Sequence, residues 1–405
     1  MLAAEVPSPL KGLLRNFNPL LTKPQQDNLP RIITGMLAYE GEKYVSKIND
    51  TFIPHKDQSN LNRFMTDPKW DYKALNRRRV ELVEDELDLR GSTTEEPCYL
   101  ILDDTNVERY SGEGVGYHHD SKHGMIKGHN YVTEVCSVNE TTYPIDLRLY
   151  MSEGSTKKPF ENKIDLACEM IDEFNPPSKH VIACFDEWYF CGEMVKHAED
   201  RGFDWISEAK SNRVVFCNEE KLNVTELLNR SRPFFHDAEV DGELYQCLDT
   251  EAFIPKMGGK NTRILFNCKA DTKDIHFTCT NILQKKEPST AIILKHALKR
   301  ARIESFHWDI KNVLGFEDYR FRESDAAIIH SHLVLLAYSL LLILNRRMEK
   351  RGELEQKHHS IGEACRRIRD RCLVAVCRWF NDRILEGLTV PNILGMINPQ
   401  IRIYK

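Results

Sequence analysis

Hydrophobic and polar positions alternate most legibly between residues 98 and 209. Residues 98–102 (CYLIL) form a short apolar run that ends in acids, the pattern of a buried strand. Residues 130–138 (NYVTEVCSV) and 144–151 (PIDLRLYM) are rich in β-branched and aromatic residues. A turn-like stretch, 139–143, separates them and suggests a hairpin. From 160 to 174 the period becomes helical: Ile164, Ala167, Cys168 and Ile171 share one stripe, and Pro176-Pro177 ends it. Residues 180–185 (HVIACF) read as a second buried strand, followed directly by Asp186. A helix over 192–201 and a strand over 204–209 complete the series. The order is three strands, helix, strand, helix, strand, which predicts an α/β sheet domain.

The flanks follow other rules. Residues 1–90 predict helices and carry a basic run, Arg77–Arg79; Pro68 and the Asp before it suggest a helix start. The turn-rich stretch 91–97 marks a boundary. Residues 210–285 hold short β-like pieces (213–217, 245–248, 263–268, 275–280), with Gly258-Gly259 between them, and read as a small β-rich insertion. Residues 288–405 are helical again, most strongly over 291–314 and 326–347. The chain therefore divides into 1–90, 98–209, 210–285 and 288–405.

Composition narrows the function classes. A length of 405 residues suggests two or three units, and 41% hydrophobic residues suffice for a sizeable core. The net charge of −5 is not that of a generic DNA binder, so any DNA contact uses local basic patches. The twelve cysteines include no C-x-x-C pair; His119 and His123 are spaced like metal ligands but lack a cysteine pair nearby. Residues 1–9 lack a basic segment followed by an apolar run, so the expectation is an intracellular, cytoplasmic protein with reduced thiols. The most apolar run, 333–344, is too short to span a bilayer and reads as a buried helix, so no membrane partner is expected.

Three acidic positions could carry chemistry. Asp103-Asp104 closes one strand, Asp186 closes another, and Glu304 lies on the helical stretch 291–314. Ligands of open α/β sheets bind beyond the carboxyl ends of the strands. Clustered carboxylates repel one another unless a divalent cation neutralises them, and two Mg²⁺ or Mn²⁺ ions could then serve phosphoryl chemistry. An acid after an apolar strand also commonly just opens a solvated loop. Arg300, Glu304 and Lys311 fall within about 60° on one face of a continuous helix. Ile303, Phe306, Ile310 and Val313 form the apolar stripe beside them. The same trio could be an exposed ion-paired face.

On these residues the chain resembles the DDE transposases of bacterial and archaeal insertion sequences. It resembles in particular the branch whose RNase H-like catalytic domain is interrupted by a β-strand insertion and which carries the signature Y-(2)-R-(3)-E-(6)-K. Arg300, Glu304 and Lys311 match that spacing, while the Tyr position is Ala297. Asp103-Asp104-Thr105 fits the context of the first family Asp and favours Asp103, with Asp104 the alternative. Residues 184–189 (CFDEWY) fit the second. The 118 residues from Asp186 to Glu304 leave room for the insertion. The resemblance implies that Asp103, Asp186 and Glu304 hold two Mg²⁺ (or Mn²⁺) ions, with Arg300 and Lys311 at DNA phosphate. It implies cleavage at terminal inverted repeats and strand transfer into target DNA, by a homodimer on double-stranded DNA in the nucleoid. A non-cutting domesticated derivative and another two-metal RNase H-like nuclease are the rivals.

Other features have bland readings. The Gly-, His- and Lys-rich stretch 112–129 reads as a polar surface loop, although it could brush DNA. Lys157-Lys158 reads as solvated. Two basic clusters (Arg346, Arg347, Lys350, Arg351; Arg366, Arg367, Arg369, Arg371) would give local affinity for DNA or merely trim helix ends. Trp188 and Trp205 read as core.

Overall fold

The computed structural model describes every residue except 1, 54–56, 68–69, 91–96, 121–122, 157, 218, 256, 258–259, 270–271, 273, 356–358 and 398–405. The expectations for Pro68, for most of the 91–97 boundary and for Lys122, Lys157 and Gly258-Gly259 lie outside the described residues. The chain forms two compact units: Met1–Asp88, Val107–His129 and His307–Lys405 make the first, and Leu89–Asn106 and Asn130–Phe306 the second.

The first unit is mainly helical. Its N-terminal part holds α1 (Ser8–Leu14), α2 (Lys23–Ala38), α3 (Val45–Asp50), α4 (Gln58–Thr66) and α5 (Tyr72–Glu86). Helix α2 starts at a capping box in which Thr22 and Gln25 satisfy each other's backbone N–H groups.

The sheet strands follow. They are β1 (Cys98–Glu108), β2 (Gly116–Asp120), β3 (Gly124–Val138) and β4 (Thr141–Tyr150). Helix α6 (Lys163–Glu173), β5 (Val181–Phe185), α7 (Gly192–Asp200) and β6 (Asp204–Glu208) complete the expected series. Strands β1 and β3 run longer than the apolar runs that announce them. Within the second unit the order is β4-β3-β1-β5-β6, with β1, β5 and β6 parallel and β3 antiparallel to β4. Counted by appearance this is 3-2-1-4-5, the RNase H-like arrangement. The Asn162–Asp165 capping box starts α6, and its last turn ends at Phe174, just before Pro176-Pro177.

Between β6 and the next long helix stand β7 (Val214–Cys217), β8 (Glu220–Asn223), α8 (Val224–Ser231), β9 (His236–Val240), β10 (Glu243–Phe253), β11 (Asn261–Lys269) and β12 (His276–Thr280). Strand β12 pairs antiparallel with β6, so these strands extend the same sheet in the order β12-β11-β10-β7-β8. Arg263 is buried there on Asp249 and the Glu287 carbonyl.

The stretch 291–314 is not one helix. It forms α9 (Thr290–Leu298), a 3₁₀ turn over Lys299–Ala301, and α10 (Arg302–Asn312). Ile303, Phe306 and Ile310 are buried as the stripe requires, whereas Val313 lies beyond the helix and is only half-buried. Helix α11 (Ser324–Lys350) is the core of the first unit, packed by α2, α4, α5 and α12 (Ile361–Leu385); α13 (Val390–Ile397) follows. By length and composition α11 could cross a membrane, and 89% of its most apolar window is buried inside the protein.

The stretch 112–129 is not an open loop. It builds a hairpin of β2 with the first residues of β3, in which His118 is buried and bonds the Gly128 carbonyl at 3.1 Å. The basic clusters are largely tied up within the first unit. Arg347 pairs with Glu86, Lys350 with Asp88, Arg346 with Glu349, Arg351 with Glu353 and Arg369 with Glu40.

Candidate active site

Asp103 and Asp104, midway along β1, lie near Asp186, which follows β5. Because successive strand residues point to opposite faces, Asp103 and Asp104 find different partners. Asp103 meets the Arg300 guanidinium at 3.7 Å, and Asp104 meets the Lys163 ammonium at 2.8 Å and the Asn130 amide. Burial, then Asp186 and Asp104, push the Asp103 carboxyl up to about 8, against the pull of Arg300. Asp186 is also raised, chiefly by burial, although it accepts the backbone N–H groups of Trp188 (2.9 Å) and Tyr189 (3.0 Å). The buried Tyr189 hydroxyl faces the same acids, and burial with those three charges raises its pKa well above the ordinary value.

Arg300 sits in the 3₁₀ turn between α9 and α10 and collects acids from several elements. Its Nη2 lies 3.0 Å from Glu208, which closes β6, and 3.2 Å from Glu304 on α10. Three carboxylates, Asp103, Glu208 and Glu304, pair with this one guanidinium, and its charge also acts on Asp186. The Glu304 side chain is 61% exposed and pairs with Arg300, as Asp103 does. Lys311, in the last turn of α10, pairs with Glu317 at 3.0 Å. Ala297, at the Tyr position of the signature, lines a cavity of about 360 Å³ beside Arg300 and Glu208.

Among the described residues, no group of three or more His, Cys, Asp or Glu side chains is gathered closely enough to hold a metal ion. The donor chemistry nevertheless fits a divalent cation. Two acids stand side by side on adjacent parallel strands, and burial, with the other's charge added, forces Asp103 towards neutrality. Magnesium needs only one or two protein carboxylates, the rest coming from water and phosphate.

Sequence reasoning misplaced one tryptophan and missed two side chains. Trp205 is core, but Trp188 is 46% exposed, with the Lys163 ammonium 4.9 Å from its ring centre. Glu208 obeys the strand-end rule that picks out Asp103 and Asp186, and that rule would have found it. Lys163, the first residue of α6, carries no signal in the sequence.

An RNase H-like sheet with carboxylates side by side on adjacent parallel strands is a framework on which a divalent-metal site can be built. Residues 16–252 match the family model described as DDE superfamily endonuclease, and the chain belongs to that family, whose members use divalent metal ions. The matched region contains Asp103, Asp186 and Glu208 and ends before Glu304. No match was found among curated proteins. Among solved structures the chain is similar to a piggyBac transposase synaptic complex with hairpin DNA, determined by cryo-EM. The two are 12% identical, with a TM-score of 0.46, covering 87% of this chain and 67% of that one.

Proposed function

We propose that the chain is a transposase of the insertion-sequence branch with a β-strand insertion, which cuts double-stranded DNA at terminal inverted repeats and joins the freed end to target DNA. The observation that carries this reading is the Asp103–Asp186 pair, with Asp103 raised to about 8 and linked through Arg300 to Glu304. Asp103, Asp186 and Glu304 would hold Mg²⁺ or Mn²⁺, two ions in all. Bound there, such ions supply an activated water or 3′ hydroxyl and stabilise the leaving oxygen. Asp103, and not Asp104, is assigned as the first acid, because Asp104 already pairs with the Lys163 ammonium and accepts a hydrogen bond from the Asn130 amide. Arg300 would pass from the carboxylates to the DNA phosphate as the acids engage metal. Lys311 is assigned to phosphate, and residues 1–90 to DNA binding as the N-terminal domain of a homodimer.

A specific observation favours a second reading of the third acid. Glu208 is 36% exposed against 61% for Glu304, closes a strand parallel to β5, and meets the same Arg300. Glu304→Gln and Glu208→Gln, compared in Mn²⁺-dependent nicking of supercoiled plasmid, separate the two. The first reading expects loss of at least 100-fold, roughly the cost of one misplaced catalytic group, in Glu304→Gln alone; loss in Glu208→Gln alone moves the third ligand to β6. Joining is tested on labelled DNA carrying the inverted repeats that flank the gene. Cleavage without joining contradicts the transposase reading and leaves a nuclease.

A further inference from the structure

Beside the acids, on the face opposite Arg300, lies a group of side chains that neither the fold nor the proposed cleavage chemistry requires. Lys163 is its hub. Its ammonium stands 2.8 Å from Asp104, 4.9 Å from the Trp188 ring centre and 5.7 Å from that of Tyr150. Tyr150 in turn meets Phe160 edge to face at 6.4 Å. Trp188 and Phe160 are 46% and 47% exposed, so neither large ring has found a core. The lysine side chain is only 16% exposed, held by rings on its flanks and by one carboxylate.

We propose that Phe160, Tyr150, Lys163 and Trp188 form a binding platform for a single, unpaired DNA strand as it leaves the carboxylates. This rests on the reading of the chain as a DNA-cutting enzyme. Three arguments carry it. Exposed aromatic faces interleaved with a cation are the chemistry that binds unpaired strands without sequence preference, through stacking and backbone attraction. An ammonium has three donors and only one is committed to Asp104, so Lys163 can accept a phosphate without leaving its place. Trp188 is two residues from Asp186, whose carboxylate fixes the Trp188 backbone N–H at 2.9 Å, so a strand stacked on the ring passes directly by the candidate cutting site.

The test measures binding of fluorescent oligo(dT), and of a random-sequence duplex, with Ca²⁺ in place of Mg²⁺ so that nothing is cut. Trp188→Ala and Phe160→Ala remove exposed rings and preserve the fold, which circular dichroism checks. The platform predicts about tenfold weaker oligo(dT) binding for Trp188→Ala, within the range for one stacked base, and less than about a twofold change for duplex. Lys163→Gln should lower the salt slope for the single strand by about 0.7, one phosphate contact. Oligo(dT) carrying 5-bromodeoxyuridine should crosslink to Trp188 or Phe160 on irradiation. Unchanged oligo(dT) affinity in Trp188→Ala, or crosslinks mapping only elsewhere, overturns the proposal. The outcomes are separable: a chain that cuts DNA without this strand binding defeats the platform alone, and one that binds the strand without cutting defeats the nuclease reading alone.

Discussion

Asp103→Asn should make the metal-free protein more stable at pH 8. In the folded chain Asp103 titrates at about 8, against 3.8 for a free aspartate, and its side chain is only 18% exposed. Each tenfold change in proton affinity is worth about 1.36 kcal/mol, so the ceiling on the penalty is about 6 kcal/mol. Asp186 and Asp104 share the repulsion, and side-chain adjustment relieves part of it at an effective dielectric of about 20. A gain of about 2–4 kcal/mol remains. The sign follows from linkage: the folded state binds more protons than the unfolded one between pH 4 and 8. Stability therefore falls as pH rises through that window, and the deficit is complete above pH 8. The variant, having no proton to bind, escapes it. Thermal melts in EDTA at pH 8 should place Asp103→Asn about 5–10 °C above the wild type, with the difference vanishing near pH 4. Mn²⁺ should narrow or invert the gap, because a cation that binds only the wild-type site stabilises only the wild type. Equal melting temperatures at pH 8 without metal, or a less stable variant, would refute the burial and crowding of charge at Asp103 on which the site assignment depends.

Elsewhere in the second unit, Arg263→Met should strand the buried Asp249 carboxylate and cost about 3–5 kcal/mol, read as a lowered urea midpoint. In the first unit, Gly128→Ala would place a Cβ 2.1 Å from the Val107 carbonyl oxygen. A loss of about 1–3 kcal/mol should appear with faster amide exchange across β2 and β3. His129 and His330 are both buried neutral, lowered from 6.5 to about 4 by burial, and both pack on Tyr319. Their lowered values leave stability intact above pH 6.5 and remove it as pH falls towards 4, by about 3 kcal/mol each at most. His330→Gln should flatten the acid limb of the melting curve.

The sequence announced the sheet because buried strands leave contiguous apolar runs. HVIACF became β5 at nearly the expected bounds, with Asp186 directly after it, whereas CYLIL opens a β1 that continues to Glu108, and Asp103 lies just past its pairing with β5. The β2 hairpin stayed hidden because its pattern is inverted: Tyr117 is 70% exposed while His118 beside it is buried. No apolar alternation signals such a strand. The break at Lys299–Ala301 was equally silent, since KHALKRARIE holds mostly good helix formers and no Gly or Pro. Tertiary ion pairs accompany the tighter turn, with Arg300 drawn to Asp103 and Glu208, and Lys299 and Arg302 to Glu140. The 3₁₀ turn takes Arg300 out of the regular helix that carries Glu304 and Lys311, and Lys311 pairs with Glu317. Lys163 could not be singled out because its role depends on which strand ends lie across from the start of α6. That is a matter of topology, not of local sequence.

The central claim is that Asp103 and Asp186 jointly hold the divalent metal that cuts DNA, and Asp186→Asn tests it most directly. The measurement is nicking of supercoiled plasmid in Mn²⁺ beside DNA affinity in Ca²⁺ for the same preparation. The account predicts that the wild type nicks, that Asp186→Asn loses nicking by at least 100-fold, and that affinity stays within a few-fold. Nicking by Asp186→Asn at the wild-type rate would contradict it.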